Sequence, residues 1–167
     1  QWILTFINAY KGLRLIQSVA RDHPELVDSQ LPIGIVEYYA SLSPALIQWS
    51  VRLMGMKTNG YAAIAKIEKA ASQGEFSSIE AKKIFVILSL WVEGNPQSAL
   101  QYSHDLREEY PQNYFFGILL LECLIQMRND EKAEILFGTL EEEFHSLTPI
   151  QQGWYFSYYK YERALSQ

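Results

Sequence analysis

The feature that most constrains the fold of this chain is a pattern that recurs after 34 residues. Ala99 and Ala133 stand 34 positions apart, and each follows a short turn, Gly94-Asn95-Pro96 before the first and Arg128-Asn129-Asp130 before the second. A strongly apolar segment precedes each turn. This period is typical of helix–turn–helix repeats, and a small residue at the repeated position lets two helix backbones approach closely. The recurrence therefore predicts a stack of antiparallel helix pairs.

The other segments also have the pattern of helices separated by short breaks. No segment outside the apolar runs alternates with the period of two that a strand requires. Asp28 and Ser29 are both capping residues, and we expect one of them to begin a helix. We expect Gly74 to end the alanine-rich helix in a left-handed conformation. The sequence predicts an all-α protein of about eight or nine helices. The predicted helices after the N-terminal one cover Pro32–Leu42, Ala45–Met54, Tyr61–Gln73, Ala81–Val92, Pro96–Glu109, Asn113–Met127, Asp130–Phe144 and a last segment from Thr148 to about Leu165.

The repeated positions resemble those of the tetratricopeptide repeat. Ser103 and Phe137 follow the two alanines by four residues, and Pro111 ends the first unit. This resemblance implies a right-handed superhelix of antiparallel helix pairs.

The preceding block resembles a subset of bacterial tetratricopeptide proteins. It is also similar to a eukaryotic tetratricopeptide family that includes a fungal outer-mitochondrial-membrane protein for inclusion-body clearance. Thr58-Asn59-Gly60 stands where that pattern tends to have Gly-Asp-Arg, so a role of the Asp-Arg pair does not transfer. The resemblance implies a helical adaptor without catalytic residues. It rests on Gly34, Leu42-Ser43-Pro44, Gly55, Asn59-Gly60 and Gly74.

The length of the chain predicts one helical domain over residues 1–167. We expect atypical helices or a variant repeat over 1–76, two repeats over 77–147 and a C-terminal helix over 148–167. Because helical periodicity begins at once and no initiator Met is present, we expect a fragment of a longer protein. The bacterial resemblance favours the envelope or periplasm, and the cytoplasm is the other compartment considered.

Composition limits the classes of partner. The formal charge of −5 argues against a general phosphate-binding surface, so we expect no nucleic acid partner. The longest apolar runs are shorter than the ~20 residues that span a bilayer. The single Cys123 has no second cysteine with which to form an internal disulfide.

The residue pattern predicts no enzyme, cofactor or metal site. His23, His104 and His145 are scattered without metal-ligand spacing. Phosphate-binding and hydrolase motifs are absent from the sequence. Cys123 lies in an apolar run, which is typical of an inert core thiol.

Two sets of side chains are candidate partner sites. The repeat phase set by Ala133 turns one face of each inner helix toward a concave groove. On that face, Glu122 is either a groove residue or a buried acid that must be paired. The second set lies in the aromatic C-terminal helix, where it forms either an interface hot spot or a packing surface. The groove set is Ile84, Leu88, Trp91, Phe115, Ile118, Glu122 and Gln126, and the second set is Trp154, Tyr155, Tyr158 and Tyr159.

These patterns favour a protein-interaction scaffold that binds a helix or an extended peptide in an apolar, aromatic groove. One alternative is a small-molecule or lipid-binding domain with a cavity near Tyr38, Tyr39 and Trp49. Another is a structural spacer that self-associates within an envelope protein.

Overall fold

A computed structural model describes residues 2–165, without the side chains of residues 2–7, 9 and 165. Residues 166 and 167, which belong to the predicted C-terminal segment, lie outside this range. Within it the protein is all-α, as predicted, with nine α-helices, one short 3-10 turn and no strand. The helices are α1 (Trp2–Asp22), α2 (Gln30–Ser41), α3 (Ala45–Leu53), α4 (Gly60–Gln73), α5 (Ser78–Trp91), α6 (Pro96–Glu109), α7 (Tyr114–Gln126), α8 (Asp130–Ser146) and α9 (Pro149–Leu165), and the 3-10 turn is Val27–Ser29.

The chain forms two compact units, Gln1–Phe85 and Val86–Gln167. The boundary lies inside α5, whereas the sequence predicted one domain with an internal division after residue 76. Each unit contains its own helix pairs.

In the first unit, α2 and α4 pack closely at Gly34. A Cβ atom at this position would lie 2.8 Å from Ile67 Cγ1 and 2.9 Å from the backbone oxygen of Ala63. Only glycine fits this contact without movement of the α4 backbone. Gly34 therefore sets the distance between α2 and α4.

A buried ion pair joins the same two helices. Glu37 is only 3% exposed and pairs with Lys66 of α4. Its Oε1 atom also accepts a hydrogen bond from the backbone N–H of Lys57 at 3.0 Å. Because a buried carboxylate needs partners for its charge, loss of either contact would destabilise this packing.

Asp28 holds the connection between α4 and α5. Its carboxylate accepts backbone N–H groups from Glu75 at 3.2 Å, Phe76 at 2.9 Å and Ser77 at 2.6 Å. Burial opposes ionisation, but these donors and the Ser77 side chain lower the pKa of Asp28 to about 2.

The predicted N-cap position of α2 is confirmed, whereas the predicted left-handed conformation of Gly74 is wrong. Ser29 stands at the N-cap of α2 without a side-chain capping bond, and its hydroxyl donates to the Leu26 oxygen at 2.8 Å. Gly74 ends α4 with φ −68°, outside the left-handed region. A Cβ at Gly74 would lie 2.5 Å from the Ala70 oxygen, so a close contact requires the glycine.

The 34-residue recurrence is also a recurrence of backbone conformation in the second unit. Gly94 and Arg128 both have positive φ, 62° and 57°. Asn95 then caps α6 by accepting from the Ser98 N–H at 3.3 Å, and Asn129 caps α8 by accepting from the Lys132 N–H at 3.4 Å. The same turn therefore opens both helices.

Helices α6, α7 and α8 pack in antiparallel order, each against the next. The Cys123 thiol, near the end of α7, donates to the Pro96 oxygen at the start of α6, at 3.1 Å. Tyr114, at the start of α7, lies against Phe144 near the end of α8, with ring centroids 5.9 Å apart. Ala99 and Ala133 are buried as predicted. The core around α6 and α7 consists of Val86, Leu90, Ala99, Leu106, Phe116, Leu119 and Cys123.

Candidate functional site

The last helix covers the face of α7 that the sequence assigned to the groove. Helix α9 begins with a capping box, in which the Thr148 N–H donates to Gln151 Oε1 at 3.1 Å and the Gln151 N–H donates to Thr148 Oγ1 at 3.4 Å. The Tyr158 ring then lies 5.8 Å from Phe115 of α7, centroid to centroid. Ile118 belongs to the same buried cluster as Tyr159.

This arrangement corrects the prediction of an open groove on α7. Ile118 and Glu122 are 1% and 3% exposed, so a partner does not reach them while α9 is in place. Phe115 and Gln126 are half-buried. A helix of the same chain therefore occupies the face of α7 that was predicted to line the groove.

The α5 members of the predicted groove have mixed exposure. Leu88 is buried and Trp91 is exposed in the second unit, while Ile84 is half-buried in the first. Of these three side chains, only Trp91 offers a large apolar surface to a partner.

Glu122 is a buried acid that contacts both an amide and a second acid. Gln126 Nε2 donates to Glu122 Oε1 at 2.6 Å. Glu162 of α9, which is also buried, hydrogen-bonds to Glu122. Burial, the charge of Glu122 and this hydrogen bond raise the pKa of Glu162 to about 8. At neutral pH, Glu162 is therefore mainly protonated.

The burial of this pair determines what it can do chemically. A pair of neighbouring carboxyl groups is a common component of general acid–base catalysis. Here both are closed off from solvent between α7 and α9, so a substrate does not reach them. The arrangement supports a role in attaching α9 to α7.

The other titratable candidates lie apart from this pair. His23 contacts Glu25 at 3.0 Å and His104 contacts Glu108 at 3.5 Å, both on exposed surface, while His145 lies exposed near the end of α8. Burial raises the pKa of the Cys123 thiol, as expected of a core thiol. Among the residues that the structure describes, no group of three or more His, Cys, Asp and Glu side chains is arranged to hold a metal ion.

The outer face of α9 carries the largest solvent-exposed aromatic feature of the second unit. Trp154 is 71% exposed, and Tyr158 stacks on Trp91 with ring centroids 6.5 Å apart. The exposed side chains recur at intervals of four, four and three residues, which places them on one helical face. We call this surface the aromatic stripe, and it consists of Ile150, Trp154, Tyr158 and Tyr161 of α9 with Trp91 of α5.

The aromatic residues predicted in this helix face in two directions. Trp154 and Tyr158 are exposed, whereas Tyr155 packs on Tyr114 and Tyr159 stacks on Phe144 at 4.4 Å. Tyr155 and Tyr159 therefore form a packing surface, while the interface hot spot stays a prediction for the exposed Trp154 and Tyr158. Ile150 and Tyr161 complete the stripe, and their helical spacing was the signal that would have identified them.

The N-terminal aromatic residues do not form the predicted ligand cavity. Tyr38 is buried, while Tyr39 and Trp49 are exposed on the surface. A cavity of about 630 Å³ does lie between α1, α2 and α3, but other side chains line it.

A scan against protein-family models and searches of curated proteins and of solved structures give no match. Of the helices in the described range, none is both long enough and apolar enough to cross a membrane.

Proposed function

We propose that this chain is a non-enzymatic scaffold of the tetratricopeptide type that binds a protein partner through the aromatic stripe on α9. The observation that carries the proposal is the alignment of large exposed apolar side chains along one face of a helix. Trp and Tyr are the residues most enriched at the energetic centres of protein interfaces.

The fixed position of α9 supports this role. Tyr159 and Glu162 anchor its inner face in the core, so the outer face is presented on a helix that is already ordered. Binding to an ordered helix avoids much of the entropy cost of ordering side chains and backbone. The stripe is thus suited to receive the apolar face of a partner helix or an extended segment.

Charge indicates what surrounds the apolar contact on the partner. Residues 86–167 contain five Lys or Arg and twelve Asp or Glu, a formal charge of −7. Basic residues flanking the apolar contact would complement this charge and accelerate association. The proposed partner is therefore an amphipathic segment with basic flanks.

A photo-crosslinking amino acid placed at Trp154 tests the proposal, with the same amino acid at Phe156 as the matched control. Phe156 is also exposed on α9, but it lies outside the stripe and beneath the Lys160 ammonium group. The protein crosslinked from position 154 is identified by mass spectrometry, purified and titrated against the unmodified chain. We expect Trp154→Ala to raise its Kd by about tenfold or more and Phe156→Ala to change it less than about threefold.

Two results would contradict the proposal. Equal weakening by both substitutions would mean that the stripe has no special part in binding. If the crosslinked protein is a second copy of this chain, and sedimentation shows a dimer that Trp154→Ala dissociates, the stripe is a self-association surface. The function would then be that of a structural spacer that self-associates.

A further inference from the structure

The first unit contains an apolar cavity that the partner surface on α9 does not involve. Its volume of about 630 Å³ lies within the range of small-molecule sites, roughly 300–1,000 Å³. The polar hydroxyl of Ser50 in its wall is already bonded, since it donates to the Leu46 oxygen at 3.0 Å. Aliphatic side chains come from each surrounding helix: Leu13 and Ile16 of α1, Pro32 and Val36 of α2, and Val51 and Met54 of α3.

A glycine keeps one wall of this cavity open. Gly12 lines the cavity from within α1, and a Cβ atom built on it would meet no atom within 4 Å. A glycine inside a helix lowers helix stability, and here no neighbouring atom requires it. Its absent side chain leaves room along the wall for a bound molecule.

The charge around the cavity is positive, although the whole chain carries a formal charge of −5. Helices α1, α2 and α3 and the segment 54–58 together contain five basic residues and two acidic residues, Asp22 and Glu37, and Glu37 is paired with Lys66 of α4. The Arg14 guanidinium lies 3.7 Å from the Cβ position of Gly55, beside Met54 of the cavity wall. Arg52 donates hydrogen bonds to two neutral side chains, Thr58 at 2.8 Å and Gln48 at 3.2 Å, and these contacts leave its positive charge uncompensated.

We propose that this cavity binds the aliphatic chain of an anionic amphiphile, a long-chain carboxylate, with its head group at Arg14. The apolar wall removes the aliphatic chain of the ligand from water, and this burial is the main favourable contribution to its binding free energy. The basic side chains favour a carboxylate over a neutral or cationic head group.

A lipid bilayer is the competing occupant, because α3 has a second apolar face. Leu46, Trp49 and Leu53 are exposed on that face, next to the charge of Arg52. The cavity-lining residues Ile47 and Val51 lie on the other side of the same helix. Substitutions can therefore separate the two occupants.

Calorimetric titration with dodecanoate, below its micelle concentration, tests the proposal. We expect one molecule bound per chain and an affinity at least about tenfold higher than for dodecyltrimethylammonium. Gly12→Phe, which places a ring in the cavity, should weaken dodecanoate binding by at least about tenfold. The matched control is Gly138→Phe in α8, where a Cβ also meets no atom within 4 Å. It should leave binding unchanged, and circular dichroism confirms that both variants are folded.

A second titration tests whether Arg14 binds the carboxylate head group. Arg14→Gln should weaken dodecanoate binding and remove the preference over the cationic amphiphile. An equal loss of affinity for both amphiphiles would overturn the assignment of Arg14.

Three further outcomes would overturn the binding proposal as a whole. They are absence of dodecanoate binding, binding of many molecules per chain, and equal affinity of Gly12→Phe and the parent protein. Binding to anionic phospholipid vesicles that Leu46→Gln abolishes and Gly12→Phe leaves intact would instead assign α3 to a bilayer surface.

Discussion

Gly117 and Gly138 are two helical glycines of the second unit with different surroundings. A Cβ at Gly117 in α7 would lie closer than 3.0 Å to Leu140 Cδ2 and 3.4 Å from Arg107 Nη1. At Gly138 in α8 the same atom would meet open space. Gly117 is therefore required by the packing of α7 against α8, whereas Gly138 is not required by any neighbour.

Alanine at these two positions should change stability in opposite directions. We expect Gly117→Ala to lower the free energy of unfolding by about 1–3 kcal/mol, since the buried Leu140 must move. Gly138→Ala should raise it by up to about 1 kcal/mol through helix propensity. Urea unfolding followed by circular dichroism measures both. If both substitutions shift stability equally, the close contact at Gly117 does not limit the packing.

At the scale of elements, the connection between α4 and α5 depends on one carboxylate from before α2. Asp28 accepts three backbone N–H groups there, from residues 47 to 49 positions later in the chain. A neutral side chain at this position would accept these bonds more weakly.

Asp28→Asn should lower the free energy of unfolding by about 1–2 kcal/mol at pH 7. Because its pKa falls from 3.8 to about 2 on folding, Asp28 stabilises the fold fully above pH 3.8. This contribution is lost as pH falls toward 2, so the two proteins should converge in acid.

The control for this prediction is Asp22→Asn, which removes an exposed carboxylate that forms an ion pair with its neighbour Arg21. It should change stability by less than about 0.5 kcal/mol. A difference between Asp28→Asn and the parent that persists at pH 2 would show that ionisation of Asp28 is not its source.

The attachment of α9 to α7 should weaken as pH rises. Glu162 has a folded pKa of about 8 against an ordinary value of 4.5. Between these values the folded state holds a proton that the unfolded state has released, so stability falls with each unit of pH.

Glu162→Gln should remove this pH dependence. The variant should match the parent below pH 4.5 and be more stable at pH 8 by roughly 4 kcal/mol. Thermal unfolding across this range measures the difference, with the exposed Glu142→Gln as control. A stability difference that does not vary with pH would exclude proton uptake by Glu162 as its cause.

At the scale of the whole molecule, the two units differ in charge. Residues 1–85 contain nine Lys or Arg and seven Asp or Glu, a formal charge of +2, whereas residues 86–167 carry −7. The cavity proposed for an anionic ligand lies in the first, and the stripe proposed for a basic partner lies in the second. Each proposed site therefore has the charge that its ligand requires.

The helical repeat and most helix boundaries were accessible from the sequence because they depend on residues within a turn or two. The caps Asn95 and Asn129 and the Thr148–Gln151 capping box each act over two or three residues. Local signals of this kind are present in the chain before any tertiary contact forms. Local signals gave a wrong prediction where tertiary contacts determine the backbone. An example is the conformation of Gly74, because the Asp28 carboxylate holds the loop that follows it.

The sequence by itself therefore determined the all-α class, the 34-residue repeat and the apolar face of α7. Only the tertiary structure decided that α9 covers this face, that Glu122 meets Glu162, and that Trp154 faces outward. Helical periodicity shows which residues share a face, but it carries no information about which distant element packs there. That choice depends on the shape and burial of both surfaces together, so it exists only once the helices are assembled.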